Sequence, residues 1–320
     1  MPINGPASYI STTEEFLAHW ESVNSWLGVG HEIVLYLGIT RADLQARLNE
    51  LIGSRDVVLS ALKQEELARA TVEDLRRRLL ERINQFCQKI RALFSDTKWE
   101  RALPKVPGIL QGEAKFIDAL EDAANIWLRR NAEPAPRVPI TLFDGYTQSQ
   151  FQDDINALRA AYTAVNVARS NANLAREARN DVQDAIYPIL KNYRQAVPTF
   201  FEKTHAMVET LPRLTPLPGS TPEAVTATAE WYAGRKMARI TWEASSDPDL
   251  EKYQIRFSPG AHYSTDGEAV IGNVAPGEPL EFFTNEGLAS PGDTASFKVY
   301  VITKTGNEKG SKAVQVTWPE

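Results

Sequence analysis

The sequence has a single cysteine, Cys87, among its 320 residues. No disulfide bond can therefore form within the chain, and cysteine usage gives no support to a secreted protein. Cys87 lies close to Phe86 and Ile90 in a segment with helical spacing of its apolar residues, and free cysteine packs as a small hydrophobic residue. We expect a buried thiol that takes part in no chemistry.

Long apolar runs, a leader sequence and an excess of basic residues are also missing. No apolar run approaches the length of a membrane span, so we expect no membrane-spanning helix. Residues 1–16 lack the basic and apolar regions of a signal peptide, which leaves a cytoplasmic location and leaderless export as the two options. The formal net charge is −6 with 24% charged residues, and we expect no binding to nucleic acid.

Recognisable catalytic and ligand-binding motifs are absent too. The four histidines do not stand at the helical spacing of a metal site. The sequence contains no HExxH, GxSxG, Walker or GxGxxG pattern. These absences predict a protein that is not an enzyme and that binds no cofactor or metal ion.

The sequence does contain a segment that occurs twice. Residues 35–94 and 142–201 align without a gap, with about 14 identities in about 60 positions. Gly38 aligns with Gly145, and the tripeptide Leu-Ala-Arg at 67–69 aligns with the same tripeptide at 174–176. Each copy has an amphipathic face that it cannot bury alone. The pattern therefore predicts two repeats packed together as an antiparallel α-helical bundle.

Each repeat is predicted to contain a first helix and a long helical region. In the first repeat, residues 1–11 would form an arm, and Thr12 or Thr13 would cap the first helix. The long region has apolar residues at helical spacing near both ends but a polar middle, KQEELARATVED. Two structures fit this pattern: a helical hairpin with its tip in the polar middle, or one continuous helix. The lack of glycine and proline between Ser54 and Leu103 favours the continuous helix. The interrupted apolar seam favours the hairpin, which we expect because it makes the more compact core.

The period of the sequence changes after a proline-rich linker at residues 215–223. Beyond it, apolar and polar residues alternate in short segments separated by turn clusters, which predicts about seven strands in a β-sandwich. The predicted domains are residues 1–107 for the first helical repeat, 108–216 for the second and 217–320 for the sandwich. The two repeats together would form one all-α domain, so the fold class is a multidomain α and β protein.

The sandwich segment resembles a fibronectin type III domain. The residues that carry the resemblance, in the order and spacing of that family, are Pro222, Val225, Trp242, Asp247, Pro248, Tyr253, Phe297, Val299, Val301, Gly306 and Ser311. The family usually has a tyrosine where this chain has Phe297, and its hydroxyl holds the corner before a late strand. That bond is expected to be lost here or supplied by another residue. The resemblance implies a seven-stranded sandwich that acts as a spacer or a binding module. The whole layout is similar to bacterial proteins that place a long helical region before one such domain.

The candidate partner-binding residues are Arg76, Arg77, Tyr263 and Trp318. Arg76 and Arg77 belong to a basic run on a predicted helix, which fits either a solvated face with ion pairs or a stripe that binds a partner. Tyr263 and Trp318 are aromatic residues of the sandwich segment and are candidates for contact with a carbohydrate. The repeated Leu-Ala-Arg tripeptide fits either a shared structural contact or two equivalent partner sites.

These patterns predict a non-catalytic structural or protein-interaction protein, in which the helices form a scaffold and the sandwich engages a partner. The partner would be another protein or a second copy of the chain. The alternative is a carbohydrate- or surface-binding accessory protein that uses Tyr232, Tyr263 or Trp318. The third possibility is an enzyme without a recognisable motif.

Overall fold

The computed structural model describes residue 3 and residues 6–133 and 138–319. Within these residues the chain forms six α-helices and eight β-strands. The helices are α1 Pro6–Leu27, α2 Arg41–Leu93, α3 Lys98–Arg101, α4 Glu113–Asn131, α5 Gln148–Phe200 and α6 Ala206–Glu209. The strands are β1 Ala227–Tyr232, β2 Met237–Trp242, β3 Leu250–Pro259, β4 Ala269–Val274, β5 Glu281–Thr284, β6 Thr294–Thr303, β7 Glu308–Gly310 and β8 Val314–Thr317.

The long helical region of each repeat is one continuous helix, so the predicted hairpin is wrong. Helices α2 and α5 each have 53 residues, and α2 runs through the polar middle without a turn. The apolar seam is interrupted because the first part of α2 belongs to one core and the last part to another. Between these parts the backbone hydrogen bonds continue along the helix, and the polar side chains face solvent.

The first helix begins earlier than predicted. Helix α1 starts at Pro6, so Thr12 and Thr13 lie inside it and do not cap it. Both threonines are buried, and Oγ1 of Thr13 donates a hydrogen bond to the carbonyl oxygen of Tyr9 one turn earlier. This bond satisfies the hydroxyl within the helix. Residues 6–11 of the predicted arm are therefore helical, and residues 1, 2, 4 and 5 lie outside the described part of the chain.

The chain forms two compact units. The first unit comprises Met1–Leu59 and Ala175–Glu320, and the second comprises Ser60–Leu174. The boundaries between these units fall within α2 and α5. Each unit thus takes helical segments from both sequence repeats, and the ranges 1–107, 108–216 and 217–320 stay a prediction.

In the first unit, α1 packs against the first part of α2 and the last part of α5. Leu44, near the start of α2, shares a core with Val197, near the end of α5, so the two helices are antiparallel here. The indole of Trp20 stacks on the ring of Tyr193 with 4.5 Å between ring centroids. The buried residues of this core are Phe16, Leu17, Trp20, Val23, Ile33, Leu35, Leu44, Leu48, Leu51, Val182, Ile186, Ile189, Leu190, Tyr193, Val197, Phe201 and Leu214.

In the second unit, α4 packs against the last part of α2 and the first part of α5. Trp127 of α4 stacks on Phe86 with 5.0 Å between ring centroids, and its Nε1 donates a hydrogen bond to the carbonyl oxygen of Ile140. Cys87 is buried in this core, as predicted. The other buried residues are Val72, Leu79, Ile83, Ile90, Phe116, Ile117, Leu120, Ala123, Ala124, Leu142, Phe151, Ile155, Leu158 and Ala161.

The helical elements recur at a spacing of 107 residues, which is the distance from Arg41 at the start of α2 to Gln148 at the start of α5. A single 3-10 turn precedes each of these helices and contains a residue of positive φ, 64° at Leu37 and 63° at Asp144. Equivalent backbone hydrogen bonds close both turns. A positive φ is rare for a residue other than glycine, so its occurrence at the same point of both repeats is a specific likeness.

The C-terminal part forms two antiparallel sheets with an apolar core between them. The three-stranded sheet has the order β1-β2-β5, and the five-stranded sheet has the order β4-β3-β6-β7, with β8 also paired to β6. This is the predicted β-sandwich. The described residues form eight strands where about seven were predicted, because two short strands, β7 and β8, pair with different parts of β6. Strand β7 pairs with residues 300–302 of β6, and β8 pairs with residues 294–297.

The alternation of apolar residues in the sandwich was predicted correctly. Ala238, Ile240 and Trp242 of β2 are buried, as are alternate residues from 297 to 303 of β6. Phe297 is wholly buried in the core. The hydroxyl of Tyr253 accepts a hydrogen bond from the backbone N–H of Ser245 at 2.7 Å. A tyrosine of a different strand therefore fastens a loop to the sandwich.

Candidate interaction surfaces

An open groove of about 700 Å³ lies in the second unit, between α2, the loop before α4, and α5. Arg76 and Arg77, the two arginines predicted from the basic run, both line it. Arg69 of the repeated tripeptide and Arg169 of α5 add two further guanidinium groups. We call this surface the basic groove.

Arg76 is held firmly in the groove wall. One of its terminal nitrogens donates to the hydroxyl of Tyr162 at 2.8 Å, and the other donates to the carbonyl oxygen of Gln111. Its guanidinium also lies over the ring of Phe116, 4.3 Å from the ring centroid. These contacts fix the position of Arg76 and fasten the loop before α4 to α2 and α5. Arg77 is exposed and pairs with Asp74 at 3.3 Å.

Two arginines of the basic groove share one carboxylate. Arg69 and Arg169 both contact Oε1 of Glu65, at 2.5 and 3.4 Å. The hydrogen bond from Arg69 holds the pKa of Glu65 below its ordinary value. Both guanidinium groups are about half exposed. One carboxylate and two guanidinium groups leave a net positive charge at this end of the groove.

The loop before α4 gives the groove an apolar edge. Leu110 is 95% exposed, and its neighbour Ile109 is also exposed. Val72 lies in the groove wall and belongs to the core of the second unit. An exposed leucine beside several arginines combines an apolar contact with positive charge, which suits a protein segment better than a small ion.

In the first unit, two arginines of α5 hold an acidic turn of the sandwich. Nε of Arg176 lies 2.8 Å from one carboxylate oxygen of Asp266, and Nη1 of Arg179 lies 2.9 Å from the other. Burial alone would raise the pKa of Asp266, but the hydrogen bonds from Arg179 and Arg176 outweigh it and hold that pKa below its ordinary value. We call this arrangement the Asp266 contact.

A glycine allows the close approach in the Asp266 contact. Gly267 follows Asp266, and a Cβ placed at position 267 would come within 2.6 Å of the side chain of Leu59 in α2. A larger residue would therefore require the side chain of Leu59 or the turn itself to shift. The Arg176 of the repeated tripeptide thus makes a structural contact, while its counterpart Arg69 lies in the basic groove.

A buried ionic cluster in the sandwich was missed by the sequence interpretation. Arg256 of β3 is almost fully buried and donates hydrogen bonds to Glu268 and Glu308, while its guanidinium lies 3.7 Å from the ring centroid of Tyr300. The sequence interpretation assigned no role to Arg256. Its partners lie far away in sequence, so no local signal identified the cluster. Because every charge in it is paired and hydrogen-bonded, we interpret it as a structural element.

The two predicted aromatic residues of the sandwich both have structural contacts. The hydroxyl of Tyr263 donates to Glu268 at 2.7 Å, and burial together with that carboxylate raises the pKa of Tyr263. Trp318 stacks on Trp231 with 4.8 Å between ring centroids. Tyr232 is exposed at the end of β1. These aromatic residues belong to the first unit, whereas Arg76 and Arg77 belong to the second.

Exposed apolar residues recur at equivalent positions of the two repeats. Tyr36 is 81% exposed and Phe143 is 80% exposed. Two further pairs at the same spacing are also exposed on both members: Leu67 with Leu174, and Leu93 with Phe200. We call these six residues the recurrent apolar pairs. Among the tryptophans of the helical region, Trp20 and Trp127 fill the cores and Trp26 is exposed.

Two features are absent from the residues that the structure describes. No helix there combines the length and the apolarity that crossing a membrane requires. No cluster of three or more His, Cys, Asp or Glu side chains is placed there to hold a metal ion.

No protein-family model matches the sequence, and no curated protein matches it. Solved structures are similar to its C-terminal third. A Fn3-like protein from Clostridium thermocellum is 19% identical over 32% of this chain and 97% of that chain, with a TM-score of 0.26. The sixth fibronectin type III domain of human fibronectin type III domain containing protein 3 is 18% identical over 32% and 92%, with a TM-score of 0.26.

Pectate lyase PelI from Erwinia chrysanthemi, in complex with tetragalacturonic acid, is also similar to the chain. It is 14% identical over 29% of this chain, with a TM-score of 0.25, and the match covers only 28% of the lyase. The fibronectin type III neighbours thus cover the C-terminal third of the protein.

Proposed function

We propose that the protein is a non-catalytic scaffold that associates with protein partners, including copies of itself. The observation that supports this proposal is the set of recurrent apolar pairs. A single exposed apolar residue is ordinary on a protein surface. Three pairs exposed at the same positions of two repeats give the two repeats similar sets of exposed apolar residues, which suits a protein that bridges or polymerises.

We also infer that the helical region is a duplicated antiparallel bundle. The constant spacing of 107 residues from Arg41 to Gln148, the positive φ angles of Leu37 and Asp144, and the antiparallel packing of α2 and α5 in each unit support this inference. A duplication produces two copies of one surface, and each copy then binds an equivalent partner unless later substitutions change it.

Sedimentation velocity over a concentration series tests the proposed association. We expect a sedimentation coefficient that rises between about 1 and 100 μM, the range in which weak protein association becomes visible. The double variant Tyr36→Ser and Phe143→Ser should shift this rise to higher concentration, because each ring removed forfeits roughly 25 cal/mol per Å² of apolar surface that an interface would bury. Both residues are exposed, so the fold should tolerate the change.

Val57→Ser is the matched control. Val57 is exposed on α2, but the equivalent residue, Ala164, offers no comparable apolar surface. The control should associate like the wild type. A chain that is monomeric throughout the series, or a double variant that associates as strongly as the control, contradicts assembly through the recurrent apolar pairs.

The stacked pair of Trp231 and Trp318 favours a second candidate function, carbohydrate binding by the sandwich. Both indoles are partly exposed, and a flat aromatic surface suits the apolar face of a sugar ring. A glycan array with the wild type and with Trp318→Ala tests this candidate. Retention of one glycan class by the wild type and its loss in the variant would support it. An array without signal would reject it.

A further inference from the structure

The basic groove of the second unit stands at the repeat-equivalent position of the Asp266 contact of the first unit. A displacement of 107 residues takes Arg176 to Arg69 and Leu59 to Asn166. Arg69 and Asn166 both line the groove. The first unit covers its copy of this surface with an acidic turn of its own sandwich, whereas the copy in the second unit is an open groove.

We propose that the basic groove binds a carboxylate-bearing turn of a partner protein. This inference rests on the proposed scaffold function and names the chemistry of one partner. The Asp266 contact shows which ligand the equivalent surface accepts: a carboxylate between guanidinium groups, followed by a glycine that lets the turn approach α2 closely. The groove offers the same kind of guanidinium at Arg69.

The residues of the groove differ from those of the first unit in a way that suits a ligand from another chain. Arg179 of the first unit corresponds to Val72, and the second guanidinium is supplied instead by Arg169 of α5. Leu110 adds an exposed apolar side chain at the groove edge. A matching ligand therefore carries a carboxylate and an apolar residue close together, as an acidic turn of a folded protein does.

The charges of the groove favour a single carboxylate over other anions. Arg69 and Arg169 share the carboxylate of Glu65, so one further negative charge balances this end of the groove. Glu73 and Glu113 also line the groove and repel a phosphate dianion or a polyanionic nucleic-acid backbone more strongly than a single carboxylate. The ring of Tyr162 lies in the groove wall with its hydroxyl bound by Arg76, which leaves no aromatic platform for a base.

A cyclic peptide of the chain's own turn is a suitable probe. The peptide has the sequence of residues 262–270, HYSTDGEAV, closed by added terminal cysteines, and its neutral counterpart carries Asn and Gln in place of the two acids. Fluorescence anisotropy of the labelled peptides is measured with the full chain. We expect saturable binding of the acidic peptide and binding of the neutral peptide weaker by about tenfold, the usual effect of losing a charge-assisted hydrogen bond.

Substitutions in the groove locate the bound peptide. Arg69→Ser and Arg169→Ser should each weaken binding by about tenfold, and Leu110→Ser should weaken it by several-fold. The matched controls are Arg47→Ser, an exposed arginine of α2 outside the groove, and Val29→Ser, an exposed apolar residue. Both controls should bind the peptide like the wild type.

Four results would overturn the proposal: no saturable binding up to about 1 mM peptide, equal binding of the acidic and neutral peptides, binding that survives both arginine substitutions, or displacement of the peptide by equimolar inorganic phosphate. The Tyr36→Ser and Phe143→Ser variant separates the two proposals, since it should bind the peptide normally. Peptide binding without self-association would reject assembly through the recurrent apolar pairs alone. Self-association without peptide binding would reject the proposed ligand of the basic groove and leave the proposed assembly standing.

Discussion

Removal of the charge of Asp266 should destabilise the first unit and loosen the sandwich from α5. In the variant Asp266→Asn, the side chain keeps its size and one oxygen acceptor but loses its negative charge. Arg179, which is 5% exposed, then remains buried beside a neutral amide. Its two hydrogen bonds to Oδ1 of Asn180, from Nε at 3.4 Å and from Nη2 at 3.1 Å, supply no compensating charge.

The expected loss follows from the burial of the pair. Breaking a buried ion pair by removing one partner costs about 3–5 kcal/mol. The side chain of Asp266 is partly accessible to water, and asparagine still accepts one hydrogen bond. We therefore expect a loss of about 2–3 kcal/mol in the free energy of unfolding of the first unit. Arg179→Met should cost a similar amount, and the double variant should cost less than the sum of the two.

Urea titration followed by circular dichroism measures these losses, and pH provides the control. Because the folded pKa of Asp266 is lowered, its stabilisation is fully present above the unfolded pKa and is lost as pH falls through the folded pKa. The difference in the free energy of unfolding between the wild type and Asp266→Asn should therefore be largest at pH 7. It should shrink below pH 3.8, the ordinary pKa of an aspartate. A difference below about 0.5 kcal/mol at pH 7 would refute the assigned ion pair, since that is the range of a neutral surface substitution. If the two proteins differ as much in stability at acidic pH as at pH 7, the charge of Asp266 is not the cause of the difference.

Three further predictions concern the cores and the repeated turn. Trp242→Ala should cost roughly 3–5 kcal/mol in urea titration, because Trp242 is 7% exposed and inward-facing; a loss under about 1 kcal/mol would contradict its burial. Leu37→Gly should stabilise the protein by roughly 0.5–1 kcal/mol, because leucine is strained at a positive φ. Asp144→Gly should stabilise it by less, since aspartate tolerates a positive φ better than leucine. A larger gain from Asp144→Gly than from Leu37→Gly would contradict the turn geometry. Burial lowers the pKa of His19, so its contribution to stability should be lost as pH falls from 6.5 through the folded pKa, and His19→Gln should abolish this part of the pH dependence.

The sequence indicated the strands of the sandwich well because their pattern is local. Ile240 and Trp242 are inward, as alternation predicts, because successive side chains of a strand point to opposite faces. Arg256 follows Ile255 on the opposite face of β3, and its burial depends on two glutamates from other segments. Alternation assigns a face to a residue, but it does not reveal what covers that face.

The long helices show a different limit of sequence interpretation. The polar middle of α2 was read as the tip of a hairpin because its apolar seam stops there. The seam stops because the helix leaves one core before it enters the next. Helix propensity and the absence of glycine and proline were the better guides, since they report on the backbone itself and not on the partner that buries it.

The candidate groove was visible in the sequence only in part. Arg76 and Arg77 were identified as a basic run, and both line the groove. Their roles differ: Arg76 is held by Tyr162 and the loop before α4, whereas Arg77 is exposed. Leu110 carried no signal, because a single leucine in a loop is common and its exposure depends on how the loop is fastened.

The repeated tripeptide connects the architecture with the proposed function. The same arginine occurs in both repeats, but Arg176 binds an acidic turn of the chain itself, and Arg69 pairs with Glu65 within its own helix. A purely structural role would predict equivalent partners for both arginines, and two free partner sites would predict that both are open. The observed difference suits a duplicated binding surface of which one copy now holds the sandwich. On this view the Asp266 contact is the covered form of the surface, and the basic groove is its open form.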